Sequence, residues 1–193
     1  MGRHSGFLNP LVAALAAFFT LGAIAGPAQA SDVSNSEQVL ELLEELRDPE
    51  QTRWQRLERQ ISRVWSRSGS ASADLLLLRG REALQRGDSS AAIEHFSALI
   101  DHAPDFAEGY HARANAWFMA GRFGFALSDL QEALARNPNH FSALVGLGRI
   151  YEELRQFDAA HSALEAAAAI HPHRPDVQQA LERLDRRLRG TAL

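Results

Sequence analysis

Cysteine and lysine are both missing from the 193 residues of this chain. Without cysteine the chain forms no disulfide and carries no thiol for a lipid anchor, so packing alone must hold the fold together. All 20 basic residues are arginine, which is the better side chain for bidentate contacts with carboxylates and phosphates. The formal net charge of -4 argues against nucleic acid as the main partner.

Sequence signatures of catalysis are also missing. No nucleophile elbow, phosphate-binding loop or HExxH motif occurs, and the histidines are scattered along the chain. His171 and His173 flank Pro172 in a segment between helices, where we expect both side chains to face solvent. Because a metal site needs convergent ligands, we predict a protein that is not an enzyme and that holds no metal or cofactor.

The first thirty residues have the pattern of an export signal. A charged start at Arg3 is followed by an apolar run over residues 11–25 and by small residues on either side of Gln29. The run is shorter than the roughly 20 residues of a comfortable membrane span. We therefore predict a signal peptide over residues 1–30, cleaved after Ala30, and a periplasmic protein. Retention of the segment as a membrane anchor is the alternative.

Two amphipathic helices are expected after the signal. Residues 31–36 are polar and predict a flexible leader. Residues 37–47 carry leucines and a valine at helical spacing. Asp48, Pro49 and Glu50 combine an N-cap residue, a first-turn proline and a first-turn acid, which predicts a second helix over residues 50–67.

These helices form a hairpin without the landmarks of the repeats that follow. We predict that residues 37–72 cap the N-terminal end of the fold, since terminal units of stacked repeats are often atypical. Trp54 and Trp65 are then core residues. The alternative is that both tryptophans lie in an interface between two chains.

Three prolines recur every 34 residues, and the residues before them repeat as well. The prolines are Pro104, Pro138 and Pro172. Small residues stand twenty-four and twelve positions before them: Gly80, Ala114, Gly148, Ala92, Ala126 and Ala160. Such a period is typical of stacked helix pairs, because small residues let two helices approach closely. We expect an all-α fold with units over 73–106, 107–140 and 141–174 and a capping helix over 175–190.

One unit carries a family pattern in full. Leu144, Leu147, Gly148 and Tyr151, followed by Ala160, Leu164 and Pro172, have the spacing that resembles the tetratricopeptide repeat. With three tandem units the resemblance covers about 102 residues and implies a right-handed α-solenoid. The stretch over residues 57–70 is also similar to exported alphaproteobacterial proteins of this family, whose activity is not established.

The resemblance implies a concave groove lined by the first helix of each unit. In this sequence the ninth positions form a ladder of long polar side chains, Arg81, Asn115, Arg149 and Arg183. Other groove positions hold His111, Phe118, Met119 and Glu152, of which Phe118 and Met119 suit an apolar peptide side chain. The alternative is a solvated polar face with internal ion pairs, such as Arg149 with Glu152.

These observations predict a non-enzymatic adaptor that binds a peptide or helix of an envelope protein in the groove. The alternative function is a self-associating structural module that uses the tryptophan-containing hairpin. We expect a monomer or weak homodimer with no nucleic-acid partner and no stable membrane span after signal cleavage. The sequence names neither the partner nor the biological process.

Overall fold

The computed structural model describes residues 27–191, with side chains described for residues 37–190, so the predicted apolar run over residues 11–25 lies outside the described residues. The part of the chain that is described is entirely helical outside its turns and loops. Its helices are α1 (Pro27–Arg47), α2 (Trp54–Trp65), α3 (Ala71–Gln85), α4 (Ser89–His102), α5 (Ala107–Met119), α6 (Phe123–Arg136), α7 (Phe141–Glu153), α8 (Phe157–Ile170) and α9 (Pro175–Thr191).

Six of these helices form three antiparallel pairs, α3 with α4, α5 with α6 and α7 with α8. Each pair packs on the next through its second helix, and α9 packs on α8. Pro104, Pro138 and Pro172 each follow the end of a second helix by two residues. The predicted all-α solenoid of stacked helix pairs is therefore confirmed, with the prolines at the junctions between units.

Small residues permit the close approach inside each pair. A Cβ atom added at Gly148 would lie 2.6 Å from Cγ of Leu164 in the facing helix, and one added at Gly80 would overlap the ring of Phe96. Both facing side chains are fully buried. The same repeat position holds Ala114 in the middle unit, where the slightly larger residue packs in one buried cluster with Leu130.

The turns within the pairs place one residue in the left-handed region. Gly87 and Gly121 have φ angles of 78° and 69°, and Arg155 takes the same conformation with φ 57°. Glycine is favoured there because it has no Cβ. The arginine at the third turn is thus a strained position in an otherwise regular repeat.

The first two helices differ from the prediction at their N-terminal ends. The described part of α1 spans Pro27–Arg47, so residues 31–36, which were predicted to form a flexible leader, are helical. Helix α2 begins at Trp54 rather than at residue 50. Asp48 and Pro49 instead form a turn, in which the backbone N–H groups of Glu50 and Gln51 donate to the side chain and carbonyl of Asp48 at 3.0 Å.

The N-terminal hairpin, α1 with α2, does not cap the first unit. Its apolar residues form a cluster with Phe141 and Ile170 of the third unit. Arg47 donates to Asn139 at 3.2 Å, and Nε2 of His173 lies 2.9 Å from the carbonyl oxygen of Asp48. The predicted N-terminal cap is therefore wrong in its position, because the hairpin lies against the junctions that precede α7 and α9.

The two ends of the solenoid consequently differ. At the N-terminal end, α3 leaves Leu75 and Leu78 about half exposed, at 45% and 52%. At the C-terminal end, α9 buries Val177 and Leu184 against α8. The residues of α9 that face away from α8 are charged, as expected for a helix that closes a stack.

Candidate functional site

An open cavity of about 730 Å³ lies along α7 and α9, in part of the region predicted to form the groove. Helix α5 contributes Phe118 to its wall, and the turn after α7 contributes Arg155. Four of the eight predicted groove residues line this cavity, namely Phe118, Arg149, Glu152 and Arg183. Its size matches the range of pockets that hold small ligands or a few peptide residues.

Arg149 and Arg183 are held in the open groove in different ways. The guanidinium of Arg149 lies over the ring of Phe118, with Cζ 5.3 Å from the ring centroid, a cation–π contact that leaves the side chain exposed. Nη2 of Arg183 lies 3.5 Å from Oε1 of Glu152. Such an exposed pair contributes little to stability, so an acidic ligand can replace Glu152 at small cost.

The other predicted residues lie outside this cavity. Met119 is the last residue of α5 and is 56% exposed, and the cavity lining does not include it. Arg81 donates from Nη2 to Glu108 at 2.5 Å and to Ser66 at 3.0 Å. Asn115 contacts the ring of His111 at 3.3 Å. The ladder is therefore not one uniform row, because its first two members belong to a separate network.

That network is centred on the carboxylate of Glu108, which is only 9% exposed. Oε1 accepts from Arg81, while Oε2 lies 3.1 Å from Nδ1 of His111 and 3.0 Å from Nε2 of His140. Nδ1 of His140 accepts from the backbone N–H of Ala143 at 3.2 Å, so the ring also caps α7. The structure thus brings together two histidines that the sequence pattern appeared to separate.

The environment fixes the charges of this network. Burial opposes ionisation of Glu108, but His111 and His140 together hold its pKa well below the usual range. Burial, helped by the neighbouring His111, lowers the pKa of His140 against the opposing effect of Glu108. A charged carboxylate and a neutral His140 are therefore the stable forms near pH 7.

A signal for this network exists in the sequence, although we expected no such cluster. Glu108 and His111 stand three residues apart on one helix, so their side chains project from the same face. His140 follows one repeat later, at the N-cap of the next first helix. Glu108 occupies a groove position of the second unit. The spacing of the histidines alone does not reveal the cluster, because the residue that joins them is a glutamate.

Helix α2 lies beside this network and along the unit junctions. Trp65 stacks on His140 with ring centroids 4.7 Å apart, and Ser66 accepts from Arg81. At the other end of the helix, Trp54 stacks on His173 at 6.2 Å. The two tryptophans pack within their own chain, as expected for core residues.

His171 does not face solvent. It is 1% exposed and lies between the rings of Trp54 and Phe141, at 5.6 Å and 5.1 Å. Neither ring nitrogen has a hydrogen-bond partner, and Nε2 lies 3.7 Å from Glu58 of α2. His173 is half-buried against Trp54 and the backbone of Asp48. The expectation of two solvated junction histidines is wrong because α2 covers the junction.

Comparisons with known proteins extend the sequence resemblance. Two family models, both described as tetratricopeptide repeat, match residues 77–124 and 118–184. A TPR repeat-containing protein of Rhizobium etli is 28% identical over 163 residues, which cover 84% of this chain and 79% of that protein. That alignment is longer than the repeats and α9 together, so the likeness extends beyond the repeats.

Solved structures share the fold of the repeats. The first TPR domain of Spaghetti (RPAP3), bound to an HSP90 peptide SRMEEVD, superimposes with a TM-score of 0.60 at 24% identity; the match covers 62% of this chain and 97% of that domain. The Sgt2 TPR domain of Aspergillus fumigatus gives a TM-score of 0.61 at 22% identity, covering 64% and 83%.

The described helices also bear on the membrane question. Within residues 27–191, none of them combines the length and the apolar character that crossing a bilayer requires.

The matched family models together span more than half of the sequence, and the helix pairs of the structure repeat with the same 34-residue period. The chain belongs to the tetratricopeptide repeat family.

Proposed function

We propose that this chain is a non-enzymatic adaptor that binds a peptide segment or helix of an envelope protein in the open groove along α7 and α9. The observation that carries the proposal is the convergence of Phe118, Arg149, Glu152 and Arg183 on one cavity of about 730 Å³. An apolar ring, two guanidinium groups and a carboxylate give both an anchor point and polar recognition.

The groove favours a ligand with an apolar side chain next to an acidic group. Phe118 and Val145 supply apolar wall, and the Arg149 guanidinium adjoins the Phe118 ring. A carboxylate placed between Arg149 and Arg183 gains two donors and displaces only the long contact of Arg183 with Glu152. The first TPR domain of Spaghetti (RPAP3), bound to the HSP90 peptide SRMEEVD, has the same fold, which supports an acidic peptide as the ligand class.

A pair of substitutions in the groove tests the proposal. Phe118→Ala combined with Arg149→Glu removes the apolar anchor and reverses one charge, and we expect at least a tenfold loss of captured envelope protein, equivalent to about 1.4 kcal/mol. Capture from envelope extract, quantified by mass spectrometry, is the measurement. Equal capture by wild type and variant would place the partner elsewhere.

The chain offers a matched control for that variant. Arg122 lies over the ring of Phe125, with Cζ 5.1 Å from the centroid, and both residues are exposed outside the open groove. Phe125→Ala combined with Arg122→Glu makes the same chemical change at this second pair. We expect the control variant to capture the same proteins as wild type, so a general loss of surface charge or aromatic area is separated from loss of the groove.

A periplasmic location is part of the same proposal. It rests on the apolar run and the small residues around Gln29. If the signal is cleaved after Ala30, α1 of the exported protein begins with residues 31–36. Mass measurement of protein from the periplasmic fraction checks this, and a full-length mass in the membrane fraction would favour the retained anchor.

The alternative function is self-association through the hairpin that contains Trp54 and Trp65. Trp54 and Trp65 pack on His171, His140 and Phe141 of their own chain. These contacts use part of each indole, since both tryptophans are only half-buried, so an interface between chains would be built on the remaining area. Light scattering at several concentrations separates the two cases, because only an associating module changes its mass with concentration.

A further inference from the structure

We infer that Glu108, His111 and His140 form a binding site for one divalent transition-metal ion, and Zn²⁺ is the ion their chemistry fits best. The carboxylate oxygen Oε2, Nδ1 of His111 and Nε2 of His140 all lie within 4.8 Å of one another. Two imidazoles and one carboxylate are a common ligand set for zinc with an open fourth position.

The distances already approach those of a metal site. Oε2 of Glu108 lies 3.1 Å from the His111 nitrogen and 3.0 Å from the His140 nitrogen. Ligand atoms at about 2.0–2.1 Å from a tetrahedral ion are about 3.3 Å apart. A shift of a few tenths of an ångström thus suffices between the carboxylate and either ring.

The surroundings supply partners for the ligands. Arg81 donates to Oε1, which leaves Oε2 for the ion and orients the carboxylate. The amide of Asn115 lies 3.3 Å from Nε2 of His111. Its orientation can be exchanged so that the amide oxygen accepts from that nitrogen, as the outer partners of metal-bound imidazoles do.

Protonation and access also fit an ion. Metal ligands must be an ionised carboxylate and neutral imidazoles, and the Arg81 guanidinium that donates to Oε1 of Glu108 favours the ionised carboxylate. A cavity of about 330 Å³ between the hairpin and the repeats is lined by Glu108, His140 and Trp65. It provides an entry path and room for a water molecule at the fourth position.

One local rearrangement accompanies binding. With Nε2 of His140 on the ion, its ring proton resides on Nδ1, which then gives up the bond from the Ala143 N–H. That N–H keeps its bond to the carbonyl oxygen of His140 at 2.9 Å. Because two N–H groups repel each other, the ring tilts away from Ala143 on binding, and the remaining backbone bond retains the start of α7.

Titration of the untagged, metal-free chain with Zn²⁺ at pH 7.4 tests this inference. Calorimetry is expected to give one ion per chain with a dissociation constant of about 1 µM or tighter. His111→Ala and Glu108→Gln are each expected to weaken binding about 100-fold. His140→Asn removes the ligand but keeps a side chain that caps α7, so loss of binding there separates ligation from unfolding.

An exposed histidine–acid cluster provides the control. His161 lies 2.9 Å from Asp185 and 3.3 Å from Glu165, and His161→Ala is expected to leave zinc binding unchanged. Co²⁺ is expected to quench the fluorescence of Trp65, which stacks on His140, and Trp65→Phe removes that quenching while keeping one ion per chain.

Two results would overturn the site. A wild-type dissociation constant weaker than about 100 µM would mean that Glu108 and the two imidazoles are joined by hydrogen bonds alone. Zinc binding that is lost in His161→Ala, or kept in His111→Ala, would assign the ion to another part of the chain.

Discussion

Single residues set the spacing between helices in this fold. Gly148 lies so close to Leu164 that a Cβ has no room, whereas Gly124, also in a helix, has no atom within 4 Å of its missing Cβ. Glycine therefore has opposite effects on stability at these two positions. At one it is required by packing, and at the other it only weakens the helix.

This contrast gives a stability prediction. Gly148→Leu forces Leu164 out of its buried position and is expected to lower the free energy of unfolding by about 3 kcal/mol through overpacking. Gly124→Leu meets open space and replaces the poorest ordinary helix former, so it is expected to be neutral or stabilising by up to about 1 kcal/mol. Chemical denaturation of both variants is the measurement. Equal unfolding midpoints would show that the helix pairing around Gly148 is wrong.

The turn after α7 gives a second residue-level prediction. Arg155 has a φ of 57°, in the left-handed region, which costs a residue with a Cβ about 1 kcal/mol. Arg155→Gly is expected to stabilise the chain by about that amount. Gly121→Arg at the equivalent turn, with φ 69°, is expected to cost as much. Melting temperatures that move in the same direction for both variants would contradict the argument.

At the scale of elements, the hairpin is attached by polar contacts as well as by its apolar cluster. Glu58 of α2 lies 3.7 Å from both His171 and Arg174 of the last junction. His171 contributes most to holding the pKa of Glu58 below its usual value, against the effect of burial. The pair thus links α2 to the loop before α9 when the carboxylate is charged.

The lowered pKa of Glu58 determines how this link depends on pH. A carboxyl group with a lower pKa in the folded state stabilises the fold fully above the unfolded-state pKa, here 4.5, and the contribution is lost as pH falls below it. Wild type is therefore expected to melt higher than Glu58→Gln at pH 7, with the difference shrinking as pH falls below 4.5 and through the lower pKa of the folded state. Glu94→Gln, at an exposed position of α4, is expected to show no difference at either pH. A difference for Glu58→Gln that persists at low pH would exclude the ionic link.

Some helices and contacts could be predicted from the sequence, whereas others could not. The 34-residue period and the small residues at Gly80 and Gly148 predict the helix pairs, because each pair depends on nearby residues in the sequence. The start of α2 was misplaced because Asp48 and Pro49 serve a turn as well as they serve a helix start. The burial of His171 depends on α2 crossing a junction more than a hundred residues later, and no local pattern encodes that crossing.

At the scale of the whole molecule, the sequence predicts part of the groove but not the partners of every side chain in it. Four of the predicted groove residues, including Phe118 and Arg183, line one cavity because the repeat period fixes their relative positions. Arg81 and His111 were both predicted to line this groove, but the structure places them in the Glu108 network beside α2. Helical periodicity indicates the face of a side chain, whereas its partners depend on which other element covers that face.

The position of the hairpin also affects how the molecule folds. In a stack of repeats each unit contacts its neighbours, so folding can begin anywhere and spread stepwise. Contacts such as that of Asp48 with His173 join residues 125 positions apart, and closing such long loops slows folding. The hairpin finds its complete docking surface only after the third unit and the loop that follows it have formed. Docking of the hairpin therefore makes the repeats unfold as one cooperative unit, and the N-terminal hairpin is the last part of the chain to reach its final position.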